Sequence, residues 1–509
     1  MSTLDKSVDA PVGGGHHNRW LVLAIVCFGQ LMVILDATIV NVALPAIQQD
    51  LDLSAEGLQW IVNGYTLAFG GFLLLGGRLG DIFGRKSIFI AGVSVFTIAS
   101  LLNGLATSEA QLVGARALQG LGGALLSPAA LSIITTEFEG PDRAKAMSVW
   151  GAIAGLGAAL GLLLGGVLVK FTSWEWIFFV NVPVGLLVIA AAVSQIVESR
   201  ADDRPALDVV GAFTATAGLV ALVFGITQTE SKGWGSSTVL ISLALAVLLL
   251  ATFFAVERRH RDPLVPLGIF RVRSVSAANS VGLLAFAAIF PFFFFLSLFM
   301  QQVLGYDALK TGFAFLPFSV SIIATAMIAS QAVPKIGVRK SALIGSGSAF
   351  IGMAGFGLLL DNDLAYFPGV FIPMVFLAIG MGMTFVPLTF LATSKVPPSE
   401  AGLASGLFNT TQQIGGALGL AILATLANDK FTSSVAEGAT AAGVQAPPNA
   451  AAAAGAPPEV QAIVADALVS GWSLAFLIGA GLIVLGFIAG LVLIHDEDAD
   501  LEAGPAHIG

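Results

Sequence analysis

Fourteen apolar runs, each long enough to cross a lipid bilayer, constrain this chain more than any other feature of its sequence. A membrane-spanning helix needs about 20 predominantly apolar residues. The runs are continuous rather than alternating, which indicates helices, because a bilayer leaves no water to satisfy an open backbone. Only 11% of the 509 residues are charged, whereas soluble domains carry about 25%. The sequence therefore predicts an all-α polytopic membrane protein.

The predicted spans form two blocks of six with a pair inserted between them. They cover 20–43, 58–77, 87–106, 110–133, 145–169 and 176–197, then the pair 208–229 and 237–256, then 276–303, 311–333, 340–360, 367–392, 401–427 and 468–494. The implied domains are an N-terminal tail (1–19), a six-helix bundle (20–197), inserted helices 7 and 8 (198–256), a basic connector (257–275), a second six-helix bundle (276–494) and a C-terminal tail (495–509). Within the second bundle, the Ala-, Gly- and Pro-rich stretch 428–467 predicts a long outer loop.

A short internal repeat supports the division into two blocks. Residues 141–148 (PDRAKAMS) precede GAALG at 157–161, and residues 398–405 (PSEAGLAS) precede GGALG at 415–419. Both pairs lie at the entry to the fifth span of their block. Transporters built from two such repeats hold a midplane site that opens to each side of the membrane in turn.

The distribution of Lys and Arg predicts the orientation. If the N-terminus is cytoplasmic, most of the 23 basic residues lie on inner segments. The exceptions are Lys170, Lys232, Lys310 and Lys430 on outer segments and Arg116 within a span. Because cytoplasmic loops carry an excess of Lys and Arg, we expect both termini in the cytoplasm.

One acid and one base lie inside the predicted membrane. A carboxylate in hydrocarbon costs about 2.5–3.5 kcal/mol on insertion scales unless it is paired or faces water. At a rise of 1.5 Å per residue, Asp36 in span 1 and Arg116 in span 4 lie about 9–10 Å below the same surface. Desolvation and a nearby guanidinium shift a carboxyl pKa in opposite directions, which can leave Asp36 titrating in a useful range. We expect a proton carrier; the alternative is a permanent ion pair that joins two helices.

The short inner loop from Gly77 to Lys86 (GRLGDIFGRK) combines glycines with charges. Gly77 and Gly84 allow a tight turn, and Asp81 can face the positive end of a helix. The Gly-Arg-Lys-Ser end of the loop lacks the spacing of a phosphate-binding loop, so no ATP partner is expected.

Span 5 is rich in glycine. Gly157, Gly161 and Gly165 are four residues apart, and Gly166 follows directly. One face of this helix is therefore nearly bare backbone, which allows a partner helix to approach closely. We expect a hinge or a seal between the two blocks; generic tight packing is the alternative.

Polar and aromatic residues on four spans are candidates for a substrate pocket. Uncharged polar stripes in membranes face a cavity or bond across helices, and aromatic side chains suit bulky apolar ligands. The candidates are Gln30 and Asn41 in span 1, Trp60 and Asn63 in span 2, Phe290 and Phe294 in span 9, and Asn409, Gln412 and Gln413 in span 13. For the phenylalanines, contact with lipid is the alternative.

Four segments resemble motifs of a known family. Residues 35–45 (LDATIVNVALP), 77–86, 112–120 (LVGARALQG) and 174–183 (WEWIFFVNVP) are similar to those of the major facilitator superfamily, in its fourteen-helix drug/proton antiporter branch. The resemblance covers essentially the whole chain and implies a role in proton transfer for Arg116. We expect Asp81 with Arg85 to latch the inner gate. Where the family usually has Pro after Gly161, this chain has Leu162.

We therefore expect an antiporter of the bacterial cytoplasmic (inner) membrane that exports amphipathic small molecules, such as drugs, by alternating access. Protons are the expected coupling ion, Asp36 their carrier, and the lipid bilayer the surroundings. No cofactor, metal or nucleic-acid partner is expected. Export of a metabolite, peptide or lipid by the same fold is the alternative.

Two other classes are less well supported by the residues. A membrane enzyme would need His, Cys or paired carboxylates converging at one depth. The five histidines lie in loops, tails or span ends, and the one cysteine, Cys27, excludes a disulfide within the chain. A channel would be excluded by gradient-coupled accumulation of substrate.

Overall fold

The computed structural model describes residues 18–138, 140–200, 207–396, 400–445 and 456–495. Within these ranges the secondary structure is helical, with no strand. The helices are α1 Arg19–Asp50, α2 Ala55–Phe83, α3 Arg85–Gly104, α4 Glu109–Glu137, α5 Gly140–Phe171, α6 Trp176–Gln195, α7 Val209–Lys232, α8 Ser237–Glu257, α9 Arg273–Val303, α10 Ala308–Ile336, α11 Val338–Leu359, α12 Tyr366–Ser394, α13 Ala401–Ala442 and α14 Pro458–Leu493.

The described helices confirm the predicted fold class. Twelve of them are long and apolar enough to cross a membrane. The other two, α5 and α13, have 32 and 42 residues, more than the about 20 that a span needs. The chain is therefore a multi-pass, all-α membrane protein, and the count of fourteen spans stays a prediction.

The predicted outer loop 428–467 is wrong for most of its described length. α13 continues to Ala442 and α14 begins at Pro458. Val435 of α13 packs against Val464 and Ala467 of α14, so the two extensions form an antiparallel hairpin. The physical reason is alanine, which has the highest helix propensity of all residues, so an Ala-rich stretch of low complexity can be helical.

α4 lies close to both α2 and α3 because glycines line its contact faces. A Cβ on Gly120 would lie 2.3 Å from the carbonyl oxygen of Tyr65 in α2. A Cβ on Gly122 would lie 2.5 Å from the backbone nitrogen of Phe96 in α3. Since the obstructing atoms are backbone, these positions exclude any side chain. The close packing brings polar groups of α2, α3 and α4 together beside α1.

The inserted helix α7 lies against both blocks. Its Thr216 occupies the space beside Gly71 of α2, where a Cβ would lie 2.3 Å from the Thr216 hydroxyl oxygen. A hydrophobic cluster then joins α2, α7 and α13; its buried members are Leu67, Leu219, Val223, Ala417 and Ala421. The inserted helix α7 therefore covers the seam between α2 and α13.

The two blocks are joined on the predicted outer side by a contact that we call the outer seal. It consists of Asn41, Val42 and Lys170 of the first block and Ser297, Gln301 and Asp307 of the second. The Ser297 hydroxyl donates to the Asn41 carbonyl oxygen at 2.7 Å, and Gln301 Nε2 donates to the Val42 carbonyl oxygen at 3.0 Å. Lys170 Nζ lies 2.8 Å from Asp307 Oδ2. This hydrogen bond holds the pKa of the Asp307 carboxyl below its ordinary value.

Candidate functional site

Asp36 and Arg116 form an ion pair inside the first block. Arg116 Nη1 of α4 donates to Asp36 Oδ2 of α1. Each residue is 1% exposed, so protein surrounds both charges. Arg116 Nε also donates to the Ile61 carbonyl oxygen of α2 at 3.2 Å. The structure thus brings together the two residues whose depths match in the sequence.

Two amide side chains complete the surroundings of the Asp36 carboxylate. Its Oδ1 accepts hydrogen bonds from Gln119 Nε2 at 2.7 Å and from Asn181 Nδ2 at 3.2 Å. A buried charge is tolerated only when it is paired and its remaining lone pairs are satisfied. Asp36 meets both conditions, with partners from α4 and α6.

Gln119 links the acid, the base and α3. Its Oε1 accepts from Arg116 Nη1 at 2.7 Å and from Asn103 Nδ2 at 2.8 Å. Its Nε2 donates to Ser100 Oγ at 2.7 Å as well as to Asp36. An amide has two donor hydrogens and two acceptor lone pairs, so the hydrogen-bonding capacity of Gln119 is fully used. A change at Asp36 therefore reaches three helices through this one side chain.

Two aromatic rings face the Arg116 guanidinium. Its central carbon lies 4.3 Å from the ring centroid of Tyr65 and 5.8 Å from that of Phe178. Cations are attracted to the faces of aromatic rings at such distances. If Asp36 takes up a proton, Arg116 keeps these rings, the Ile61 carbonyl and Gln119. The positive charge is therefore not left alone in the protein interior.

Four members of this network were not predicted from the sequence. Gln119 follows Arg116 by three residues and therefore shares its helix face, a spacing that could have identified it. Asn181 lies in the segment 174–183, which resembles the family, but the resemblance implies no role for this residue. Ser100 and Asn103 of α3 lie in a span for which no motif gave a signal.

The predicted gate residues lie where α2 ends and α3 begins. Asp81 Oδ1 is 3.4 Å from Arg85 Nη2, one helical turn away. Between them Gly84 has φ = +113°, a backbone conformation that favours glycine. Gly77 lies within α2, one turn before Asp81, with Pro128 of α4 beside it. The predicted loop 77–86 is therefore wrong, because α2 continues to Phe83 and α3 begins at Arg85, which leaves only Gly84 between them. The ion pair thus joins α2 to α3 within the first block.

Glu198, which was not predicted from the sequence, holds this turn. The Glu198 carboxylate accepts hydrogen bonds from the backbone nitrogens of Lys86 at 3.0 Å and Ser87 at 3.1 Å, and from the Ser87 hydroxyl. These are unpaired donors at the start of α3, where the helix dipole favours an acid. A Cβ on Gly84 would lie 2.4 Å from the same carboxylate. The segment after α6 therefore stabilises the turn at Gly84 between α2 and α3.

The span-5 glycines face two different partners. A Cβ on Gly161 would lie 1.9 Å from the Thr38 hydroxyl oxygen, and one on Gly165 3.0 Å from the Ile39 carbonyl oxygen, both in α1. A Cβ on Gly166 would instead lie 2.6 Å from the Ala308 carbonyl oxygen of α10. Gly161 and Gly165 therefore pack within the first block, and Gly166 packs against the second.

Three of the pocket candidates carry buried polar atoms without a partner among the described residues. Asn63 is 0% exposed, and neither its Nδ2 nor its Oδ1 has a hydrogen bond. Gln30 Oε1 and Gln412 Nε2 are likewise buried and unpartnered. Such groups are rare in folded proteins and call for a ligand or water. These three amides have free hydrogen-bonding groups, and a role in substrate binding stays a prediction.

The other six candidates differ in their surroundings. Asn41 bonds to its own helix, and Asn409 is exposed. Trp60 packs on Phe224 of α7, and Phe294 is buried beside Phe295. Phe290 lies against Gly416 of α13, and Gln413 lies against Gly70 of α2. The structure therefore does not bring all nine to one surface.

Two curated relatives are similar over most of this chain. The cephamycin export protein CmcT of Amycolatopsis lactamdurans is 44% identical over 423 residues, which cover 82% of this chain and 86% of that protein. The puromycin resistance protein pur8 of Streptomyces alboniger is 39% identical over 503 residues, which cover 97% and 95%.

Solved structures and a family model agree with the architecture. A bacterial homologue of the human lysosomal transporter Spinster, inward-facing and occupied, matches with a TM-score of 0.64 at 18% identity over 96% of this chain and 100% of that one. A D-xylose–proton symporter matches with a TM-score of 0.64 at 14% identity over 94% and 98%. At such low identity these two likenesses show the fold alone. The model of the Major Facilitator Superfamily matches residues 26–420, and this protein therefore belongs to that superfamily.

Proposed function

We propose that this protein exports amphipathic small molecules, of the kind that includes antibiotics, across the bacterial cytoplasmic membrane in exchange for protons. The observation that carries the proposal is the fully buried ion pair of Asp36 and Arg116. A charged acid inside a membrane costs free energy, and such acids mark ion or proton pathways. The relatives named for cephamycin export and puromycin resistance support the substrate class.

Proton uptake at Asp36 alters the contacts between helices as well as the charge. A proton on the carboxylate removes the ion pair between α1 and α4 and weakens the hydrogen bonds that Gln119 and Asn181 donate to it. Arg116 retains its other partners, so the neutral state of Asp36 is accessible without stranding a buried cation. Protonation can therefore bias the helices between two arrangements, which is what coupling requires.

The outer seal supports a state that is closed to the outside. With the N-terminus in the cytoplasm, as the positive-inside rule indicates, Ser297, Gln301 and Asp307 join the two blocks on the outer side. Substrate would then enter from the cytoplasm or the inner leaflet. The unpartnered amides of Gln30, Asn63 and Gln412 would satisfy its polar groups, and apolar helix faces its hydrophobic part.

Transport by purified protein in liposomes tests the proposal. With puromycin and a cephamycin as probes, we expect an imposed pH gradient to drive accumulation of at least one of them by the wild type. Asp36→Asn should reduce this accumulation to the level of protein-free liposomes, because an amide cannot carry the proton. Asp429→Asn, which changes an exposed acid, should leave it unchanged.

Two outcomes would contradict the proposal. One is wild-type accumulation by folded Asp36→Asn protein, which would remove the assigned proton carrier. The other is no gradient-driven movement of either probe by the wild type, which would remove the substrate class.

A further inference from the structure

A second buried carboxyl group lies apart from the Asp36 network. Glu257 is the last residue of α8, beyond the apolar stretch 237–256, and begins the basic connector. It is 3% exposed. Its Oε2 accepts a hydrogen bond from the backbone nitrogen of Val265 at 3.1 Å. In the described part of the chain, no donor reaches its Oε1.

The neighbouring group is another acid with an unpartnered oxygen. Asp208, 2% exposed, precedes α7, and its Oδ1 accepts from the backbone nitrogen of Gly211 at 2.6 Å. Its side chain therefore caps the N-terminus of α7. Its Oδ2 has no partner among the described residues. Two ionised carboxylates in one buried site repel each other, and a proton on one of them removes the repulsion.

The charges around Glu257 come from three elements. Burial raises the pKa of its carboxyl most, and Asp208 of the α7 cap raises it further. The hydrogen bond from Val265 and the charges of His260 in the connector and Arg78 of α2 oppose this rise. The balance raises the pKa of Glu257 to about 7.

The site also lies where the inserted pair meets α2. Arg78 Nη2 of α2 donates to the Pro263 carbonyl oxygen of the connector at 3.3 Å. Glu257 bonds to the connector two residues further on, at Val265, and Asp208 begins α7. Ala212, in the first turn of α7 after Asp208, packs in one hydrophobic cluster with Leu264 and Val265 of the connector. Both acids therefore lie where the ends of α7 and α8 meet the connector.

We propose that Glu257 is a proton-binding site on the predicted inner side. Its protonation stabilises the contact that the N-terminal end of α7 and the C-terminal end of α8 make with the connector and α2. A proton on Glu257 removes its charge and adds a donor hydrogen to a carboxyl group whose Oε1 has no partner among the described residues. Loss of that proton leaves two negative charges in a site that solvent does not reach. This site is separate from Asp36 and requires no substrate.

The direction of the pH effect follows from the sign of the shift. The pKa of Glu257 in the folded protein lies above its ordinary value of 4.5. Its contribution to stability is then fully present below about pH 4.5 and is lost as the pH rises through about 7. The contact of α7 and α8 with the connector and α2 is therefore most stable at acidic cytoplasmic pH and least stable above neutral pH.

Infrared titration of the purified full-length protein tests this site directly. A protonated carboxylic acid has a carbonyl stretching band that its ionised form lacks. We expect the wild type to lose one such band with a midpoint near pH 7, and Glu257→Gln to lack this band. Glu459→Gln, which changes an exposed acid, should keep it. Identical titrations of the wild type and Glu257→Gln would overturn the proposal.

A second variant tests the role of the neighbouring acid without altering Glu257. Asp208→Asn keeps the cap of α7 but removes the repelling charge, so the midpoint of the band should fall below that of the wild type. An unchanged midpoint would overturn the assignment of Asp208 as the partner. Because neither measurement uses transport, a failure here is distinct from a failure of the proposed function.

Discussion

At the scale of single residues, the pairing of Asp36 with Arg116 could be predicted because depth in a bilayer follows from counting residues along a helix. The rest of the network could not. Counting gives the height of Gln119 or Asn181 but not the direction in which a neighbouring helix presents its side chains. An amide in a span is also ambiguous, since it serves equally as a packing contact and as a ligand of a charge.

The position of Gln119 leads to a prediction about stability and transport. Gln119→Met keeps a similar volume but removes all four hydrogen bonds, leaving Asp36 with fewer donors and Asn103 without an acceptor. Each buried polar group left unpaired costs about 1–3 kcal/mol. We expect a lower Tm in detergent and a large loss of gradient-driven transport.

A neighbouring residue provides the control for Gln119→Met. Thr97→Val in α3 removes a buried hydrogen bond made only within its own helix. It should lower Tm and gradient-driven transport much less than Gln119→Met does. Equal Tm and transport in the wild type and Gln119→Met would contradict a linking role for this side chain.

At the scale of helices, glycine spacing predicted a close approach by α5 but not its partner. The four-residue spacing defines a face; it does not say which helix packs there. The structure assigns Gly161 and Gly165 to α1 and only Gly166 to α10. Leu162, in place of the usual Pro, is 1% exposed, and its carbonyl oxygen lies beside Gly312 of α10. It therefore also contributes to the contact between the blocks.

This division makes Gly166 the glycine that tests the outer seal. Gly166→Ala would place a methyl group 2.6 Å from the Ala308 carbonyl oxygen. Overpacking of this kind costs about 1–3 kcal/mol, equivalent to a roughly 5- to 150-fold shift in population. We expect spin labels at Thr172 and Lys310 to move apart on average, as measured by double electron–electron resonance.

The control for this prediction is another glycine. Gly114 is exposed, and a Cβ there meets nothing within 4 Å, so Gly114→Ala should leave the distance distribution unchanged. The same distribution in the wild type and Gly166→Ala would show that the seal does not depend on this contact.

Helix ends were less predictable than helix existence. The stretch 428–467 combines helix-forming Ala with Gly and Pro, so its composition alone does not distinguish a loop from an extended helical hairpin. The packing of Val435 against Val464 decides it, and that contact joins residues far apart in the sequence. Residues 446–455 lie outside the described ranges.

At the scale of the whole molecule, the apolar runs predicted a polytopic helical protein because a bilayer imposes length and polarity on every span. The position of α7 and α8 could not be predicted, since lipid-exposed helices carry no pattern that names a neighbour. In the structure α7 bridges α2 and α13. The contact between α2 of the first block and α13 of the second is therefore covered by α7, and the Asp36 network lies within the first block.

The most direct test of the central claim is the number of protons that purified protein releases when substrate binds, read with a pH-sensitive dye in weak buffer. With puromycin and a cephamycin as probes, binding to the wild type should release protons, because substrate and proton favour opposite arrangements of the same helices. Asp36→Asn should bind without releasing them. No release from the wild type despite binding, or equal release from both proteins, would contradict Asp36 as the proton carrier.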